Sequence, residues 1–359
     1  MELINYKDMY NKIENTLTFE VVKNIVEEYL TSGSIDNYLK SHYCFELEKS
    51  YDFDDLPKEK QDKLLNNYAS FRNKFYSMFF NIWKNKIGNL SYDQIKDMVD
   101  KGIVDEDYYE LRDYLINTPY IDNANAFKEA IYGNEACSKY SKSIFLDNGW
   151  EHFFSKGLSY PPQEKIKVEH RLYINPLETD FYEMAYLFAE KCLTRNIPFY
   201  FKMDNGFADD KIVIYSDTEH LKVYISLLDE IKKEHPELIS NTQKPPVLCG
   251  LIDNWIGYGS EPIQREESFN SKRSRLIKMI LDKVIGDKKG KYLGQKIKVK
   301  DEIVNKIWAS ISVISEKIGI DNNNFCFDIE SRDKLFAYED SYDLKDNPDF
   351  MNTDSNKIR

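Results

Sequence analysis

The alternation of apolar and polar residues is sharpest between Ile166 and Tyr215. Ile166, Val168, His170, Leu172 and Ile174 recur at every second position, with Lys167, Glu169, Arg171 and Tyr173 between them. That pattern predicts a strand with two unlike faces. Residues 175–196 switch to helical spacing, with Asn175 expected as N-cap, Pro176 at the first helical position and Glu178 completing a capping box. Two further strands are expected. One spans 197–203, with Phe199, Phe201 and Met203 opposite Tyr200 and Lys202. The other spans 211–215, with Ile212 and Ile214 opposite Lys211, Val213 and Tyr215.

Residues 1–155 read as helical. Thr18 is expected to cap the helix that begins at Phe19, and Leu65, Tyr68, Phe71 or Phe75, Phe79 and Ile82 form one wide apolar stripe. The Pro161–Pro162 pair marks residues 156–165 as a linker. Beyond Tyr215, a helix capped by Asp217 is expected to about His235. Gly257, Gly259 and Pro262 suggest a mobile glycine flap. A helix with a basic start covers 267–285, a basic loop or hairpin covers 287–300, and a last helix covers 301–319. The Asp-, Asn- and Ser-rich residues 335–359 are expected to form a flexible tail. The predicted class is therefore α+β, with a helical domain at 1–155 ahead of an α+β domain at 166–330.

If the apolar rows face a core, the opposite rows carry Arg171, Tyr173, Lys202, Lys211 and Tyr215 on neighbouring strands. This is a candidate anion site with a lysine at its centre; the alternative is that these are solvated faces of amphipathic strands. Arg273 and Arg275 add two guanidinium forks near a helix start, where phosphate is favoured. Surrounding cations would lower the basicity of Lys202 from its usual pKa of about 10.4, and a neutral lysine can act as a general base.

Composition narrows the chemistry. The 359-residue chain is 42% hydrophobic and 14% aromatic, with 26 Tyr and 21 Phe, enough for a substantial core. A net charge of −12 argues against nucleic acid as the main partner. The five cysteines are scattered, which suggests reduced thiols and a cytoplasmic location. No signal peptide is evident at the N-terminus, and no apolar run approaches about eighteen residues, so no membrane partner is expected. The five histidines form no metal-ligand motif, and no phosphate-binding glycine loop, dinucleotide fingerprint or nucleophile elbow is present. Neither a metal nor another cofactor is expected.

The order of R-L-Y-I-N-P, P-F-Y-F-K, K-I-V-I-Y, a glycine loop and S-F-N-S-K-R-S-R-L resembles the HopA family of type III effectors. That family is also represented among the lyases of class V lanthipeptide and thioamitide biosynthesis, and it is similar in fold to bacterial phosphothreonine lyases. The resemblance covers roughly residues 166–285 and rests on the order of individually weak motifs. It implies a phosphothreonine-lyase-like mixed sheet and metal-free elimination of phosphate from phosphothreonine or phosphoserine in a ribosomal precursor peptide, leaving a dehydro amino acid. Lys202 matches the lysine that removes the Cα proton and Tyr215 a tyrosine near the phosphate. Lys211 lies near a phosphate-binding arginine of the phosphothreonine lyases, and Arg273 and Arg275 fall in the later arginine motif. The effector lyases carry Lys-x-His on the first strand; here the spacing holds Arg171 as enolate stabiliser and Tyr173 as general acid. A phenol with an ordinary pKa of about 10 is an unusual acid at neutral pH unless cations lower it. The resemblance implies a phosphorylated precursor peptide and a separate kinase as partners. A non-catalytic phosphopeptide-binding or scaffold protein, and an effector lyase acting on a host protein, are the alternatives.

Overall fold

The computed structural model describes residues 5–39, 57–102, 106, 108–117, 151–154, 167–177, 179–195, 197–203, 209–261 and 268–341. The class is α+β. The chain divides into two compact units that do not follow the expected boundary near residue 155. One comprises residues 1–51, 167–178 and 205–359, and the other residues 52–166 and 179–204.

In the first unit, strands β1 (Glu14–Asn15), β3 (His170–Ile174), β5 (Ile212–Ser216), β6 (Gly250–Ile252) and β7 (Ile256–Ser260) run in the order β1-β6-β7-β3-β5. Every neighbouring pair is antiparallel. Strands β3, β5 and β7 are buried at every residue. The polar row of β3 is therefore not a solvated face: both sides of the sheet centre are covered. On one side His170, Leu172 and Ile174 share a face with Ser216, Ile214, Ile212 and Tyr258. On the other, Arg171 lies opposite Tyr215 and Gly259, and Tyr173 opposite Val213 and Gly257.

The glycine segment is not a flap, because Gly257 and Gly259 lie within buried β7. A Cβ on Gly257 would stand 2.7 Å from Pro245 Cβ, and one on Gly259 would stand 2.8 Å from the Phe269 ring. Glycine is needed there for close approach, not for motion. The turn between β6 and β7 holds Asp253 and Asn254 at positive φ, residue types that tolerate the left-handed region.

Helices of the same unit build a second core. Val22, Ile25, Val26 and Tyr29 of Phe19–Ser32 pack in one cluster with Leu276, Ile277, Ile280 and Leu281 of Phe269–Ile285, and with Val304, Ile307 and Ile311 of Asp301–Lys317. Thr18 caps the first through Val21 N at 3.2 Å, and Asp217 caps Thr218–Glu234 through His220 N at 2.8 Å, as their places in the sequence predict. Helix Asp301–Lys317 is not the last, since Ile329–Ser341 follows with Leu335 fully buried. The expected tail is thus helical to Ser341; residues 342–359 lie outside the described residues.

The second unit contains helices Lys58–Lys86, Tyr92–Asp100, Tyr108–Asn117 and Phe181–Thr194, and strands β2 (Glu151–Phe154) and β4 (Tyr200–Met203), which pair antiparallel. Phe71, Phe75 and Met78 of the long helix are buried at helical spacing, with Tyr76 and Phe80 widening the stripe. The rings of Phe75 and Phe201 each lie 5.0 Å from that of Phe153. The helix expected from Asn175 starts instead at Phe181, and Asp180 makes no side-chain cap. Asn175, which belongs to the first unit, is held by other bonds: its Nδ2 donates to Asp209 Oδ1 at 3.1 Å and to the Lys244 carbonyl at 2.8 Å. Those long-range bonds, and a backbone bridge to Gln243, replace the local cap.

Candidate functional site

Strand β3 carries the centre of the candidate site. Alternation puts Arg171 and Tyr173 on the face they share with Tyr215, as the residue pattern implies, and the N-terminal end of helix Phe269–Ile285 covers this face through Phe269. Arg171 is 7% exposed. Its Nη2 donates to Glu261 Oε1 at 2.7 Å and its Nε to Glu261 Oε2, a bidentate pair, while the guanidinium lies 5.0 Å from the centre of the Tyr215 ring. Burial alone would lower the Arg171 pKa, but Tyr215, Tyr173 and Glu261 outweigh it and hold the group well above its ordinary value.

Tyr173 is buried, and its hydroxyl has no hydrogen-bond partner among the described residues. Burial drives its pKa well above the ordinary value, against the opposing pull of Arg171. Burial outweighs Arg171, so the phenol stays protonated, with an O–H available to donate. Nearby, Asn270 Nδ2 donates to buried Asp210 Oδ2 at 3.2 Å, leaving Asn270 Oδ1 without a partner among the described residues. The Cys249 thiol beside Tyr173 is also pushed up by burial, which makes it a poor nucleophile.

The two arginines of the helix part company. Residues two apart on a helix point to nearly opposite sides, so Arg273 is fully buried and Arg275 is exposed. Arg273 Nη2 donates to Asp328 Oδ1 at 2.9 Å and its Nε to the Phe325 carbonyl at 3.3 Å, with Phe269 packed 4.3 Å from the guanidinium. Lys272 shares the same carboxylate at 3.2 Å. The structure therefore does not bring Arg273 and Arg275 together. Lys211 is half-buried and donates to the Pro176 carbonyl at 2.9 Å. Lys202 belongs to the other unit, on β4, where it is 4% exposed. The backbone register places His152 of β2 opposite it.

Sequence reasoning missed Glu261 and Asp328, the carboxylates that neutralise the buried arginines, and the register of His152. No local pattern announces them, because Glu261 lies 90 residues from Arg171 and Asp328 lies 55 from Arg273. His170 lies on the other face of β3, with Nδ1 2.9 Å from the Tyr258 hydroxyl and Nε2 3.1 Å from Thr218 Oγ1. Burial, against the pull of Glu169 and Asp217, lowers its pKa to about 4, so it is neutral in the folded protein. Among the described residues, no group of three or more His, Cys, Asp or Glu is arranged to hold a metal ion. No described helix is long and apolar enough to cross a membrane.

These features define an α+β protein with a buried arginine–tyrosine face on its central strand. No family model matches the chain, and no curated protein matches its sequence.

Proposed function

We propose that the chain eliminates phosphate from phosphothreonine or phosphoserine in a ribosomal precursor peptide made available by a separate kinase. The observation that carries this reading is the face shared by Arg171, Tyr173 and Tyr215. It joins a bidentate guanidinium to a protonated phenol whose hydroxyl is unpartnered among the described residues. In the reaction a base takes the Cα proton, the role that the family resemblance gives Lys202; the C–H electron pair becomes the Cα=Cβ bond, and the Cβ–O bond breaks. Phosphate departs with the electron pair of that bond and a proton from Tyr173. Burial makes Tyr173 a weaker acid than an ordinary phenol, which weighs against this donor and for the second reading below. As enolate stabiliser, Arg171 exchanges its bond to Glu261 for one to the substrate carbonyl oxygen beside Cα, where negative charge develops. The parts given to Lys202, Arg171 and Tyr173, and the phosphate contacts of Lys211, Tyr215, Arg273 and Arg275, rest on the family resemblance.

A second reading, a phosphopeptide-binding or scaffold protein without turnover, is favoured by the two buried arginines already engaged by Glu261 and Asp328. Mass spectrometry of a phosphothreonine peptide incubated with the full chain separates the two. The lyase reading expects loss of phosphoric acid that survives EDTA. It also expects Lys202→Ala to reduce turnover by several orders of magnitude while phosphopeptide binding persists, with no rescue by Lys202→Arg, whose guanidinium stays protonated. Binding without mass loss supports the second reading. Turnover at the wild-type rate by Lys202→Arg overturns the role of Lys202.

A further inference from the structure

The segment between Lys283 and Lys300 departs from the rest of this acidic chain. It holds Lys283, Lys288, Lys289, Lys291, Lys296, Lys298 and Lys300 against a single acidic residue, Asp287. All seven lysines are exposed. In the midst of them, Leu293 is 72% exposed, more than any other large hydrophobic residue among those described.

The loop is built rather than loose. Gly290 N and Tyr292 N donate to the carbonyls of Tyr29 and Leu30 at 3.2 and 3.1 Å, tying it to the end of helix Phe19–Ser32. Successive turns close through Lys291 N to the Lys288 carbonyl, Leu293 N to the Gly290 carbonyl and Gln295 N to the Tyr292 carbonyl. Gly286, Gly290 and Gly294 take the positive φ values these turns require. Lys289 lies 5.6 Å from the Tyr29 ring and Lys291 lies 5.9 Å from the Tyr292 ring. Lys296 and Lys298 border a groove whose other wall carries Glu20, Glu27 and Glu28. Lys288 and Lys291 lie outside that groove, in the same run as Asp287 and Leu293, while Lys289 acts on Asp282.

We propose that this loop is a docking surface for an anionic lipid bilayer. Lysines near such a surface each contribute attraction to the acidic headgroups, and one apolar side chain held among them enters the acyl boundary. A single-stranded nucleic acid is normally received on aromatic stacking platforms; here the exposed side chain amid the lysines is a leucine. An acidic polypeptide is the competing occupant, and the experiment distinguishes it. Attachment of this kind is peripheral and reversible.

The test is co-sedimentation of the full chain with vesicles of phosphatidylcholine alone or mixed with phosphatidylserine, with a parallel titration of the chain with poly-glutamate. Binding is expected only with phosphatidylserine and is expected to fall at high salt. Lys288→Glu/Lys291→Glu should weaken it by at least about tenfold, and Leu293→Ser should weaken it at unchanged charge. Lys306→Glu/Lys317→Glu makes the same charge change at exposed positions on helix Asp301–Lys317 and should leave binding within about twofold. All these positions are exposed, so folding is not at issue. The proposal is overturned by no preference for phosphatidylserine, by equal loss in both double variants, or by binding to an acidic polypeptide in place of vesicles.

Discussion

The Arg171–Glu261 pair offers the sharpest test of what the arginine face is for. Side-chain exposures of 8% and 12% make it a buried pair. At 2.7 Å and an effective dielectric of about 20, the gross attraction is about 6 kcal/mol. Desolvation of the two ions costs several kcal/mol each, so the net contribution of the pair is small, but the cost of breaking it on one side is not. Glu261→Gln leaves a buried guanidinium without its counter-charge and should destabilise the protein by about 3–5 kcal/mol. The Tyr215 ring 5.0 Å away offsets part of that and places the expectation near about 3 kcal/mol. Arg171→Met/Glu261→Met removes both charges at similar volume and should cost far less than either single change. Urea midpoints for the wild type, Arg171→Met, Glu261→Met and the double variant give the coupling directly. A coupling below about 0.5 kcal/mol would refute the buried-pair reading. A functional corollary follows from the same geometry. If substrate oxygens replace the carboxylate, inorganic phosphate should stabilise Glu261→Gln more than the wild type, by ligand linkage. Equal stabilisation of both proteins would count against anion exchange at Arg171.

Other expectations rest on separate parts of the first unit. Arg273→Ala should cost about 3 kcal/mol or more, because buried Asp328 loses its closer partner, while Arg275→Ala should stay within about 0.5 kcal/mol; thermal melts of the two variants check the contrast. His170 has its pKa lowered from 6.5 to about 4. Folding therefore favours the neutral ring, and stability is fully present above about pH 6.5 and lost as pH falls from there towards 4. The loss should amount to about 3 kcal/mol and should be absent in His170→Gln, measured by denaturant unfolding across that window. Gly259→Ala should destabilise by about 1–3 kcal/mol through its clash with the Phe269 ring, and Phe269→Leu in the same chain should recover part of the loss. Additive effects would mean that the glycine is needed for another reason.

The sequence by itself determined what depends on neighbours a few residues apart. Thr18 and Asp217 cap their helices because a short oxygen-bearing side chain can reach amides two or three residues ahead. The alternation along 170–174 and 212–215 placed Arg171, Tyr173 and Tyr215 on one face because side chains in a strand alternate with period two. What the alternation could not say is what covers that face. Only the tertiary structure brought Phe269 against it, engaged Arg171 with Glu261, and turned Arg273 inward to Asp328 while Arg275 faces outward. Gly257 and Gly259 read locally as a flap, yet they are strand residues, and the ring and proline that demand their missing Cβ atoms come from segments outside that strand. The helix start moved from Asn175 to Phe181 for a related reason: bonds to Asp209 and the Lys244 carbonyl outcompeted a cap that the local spacing allows. Contacts across tens of residues leave no periodic trace, so partners, buried charge and close approach were decided by packing alone.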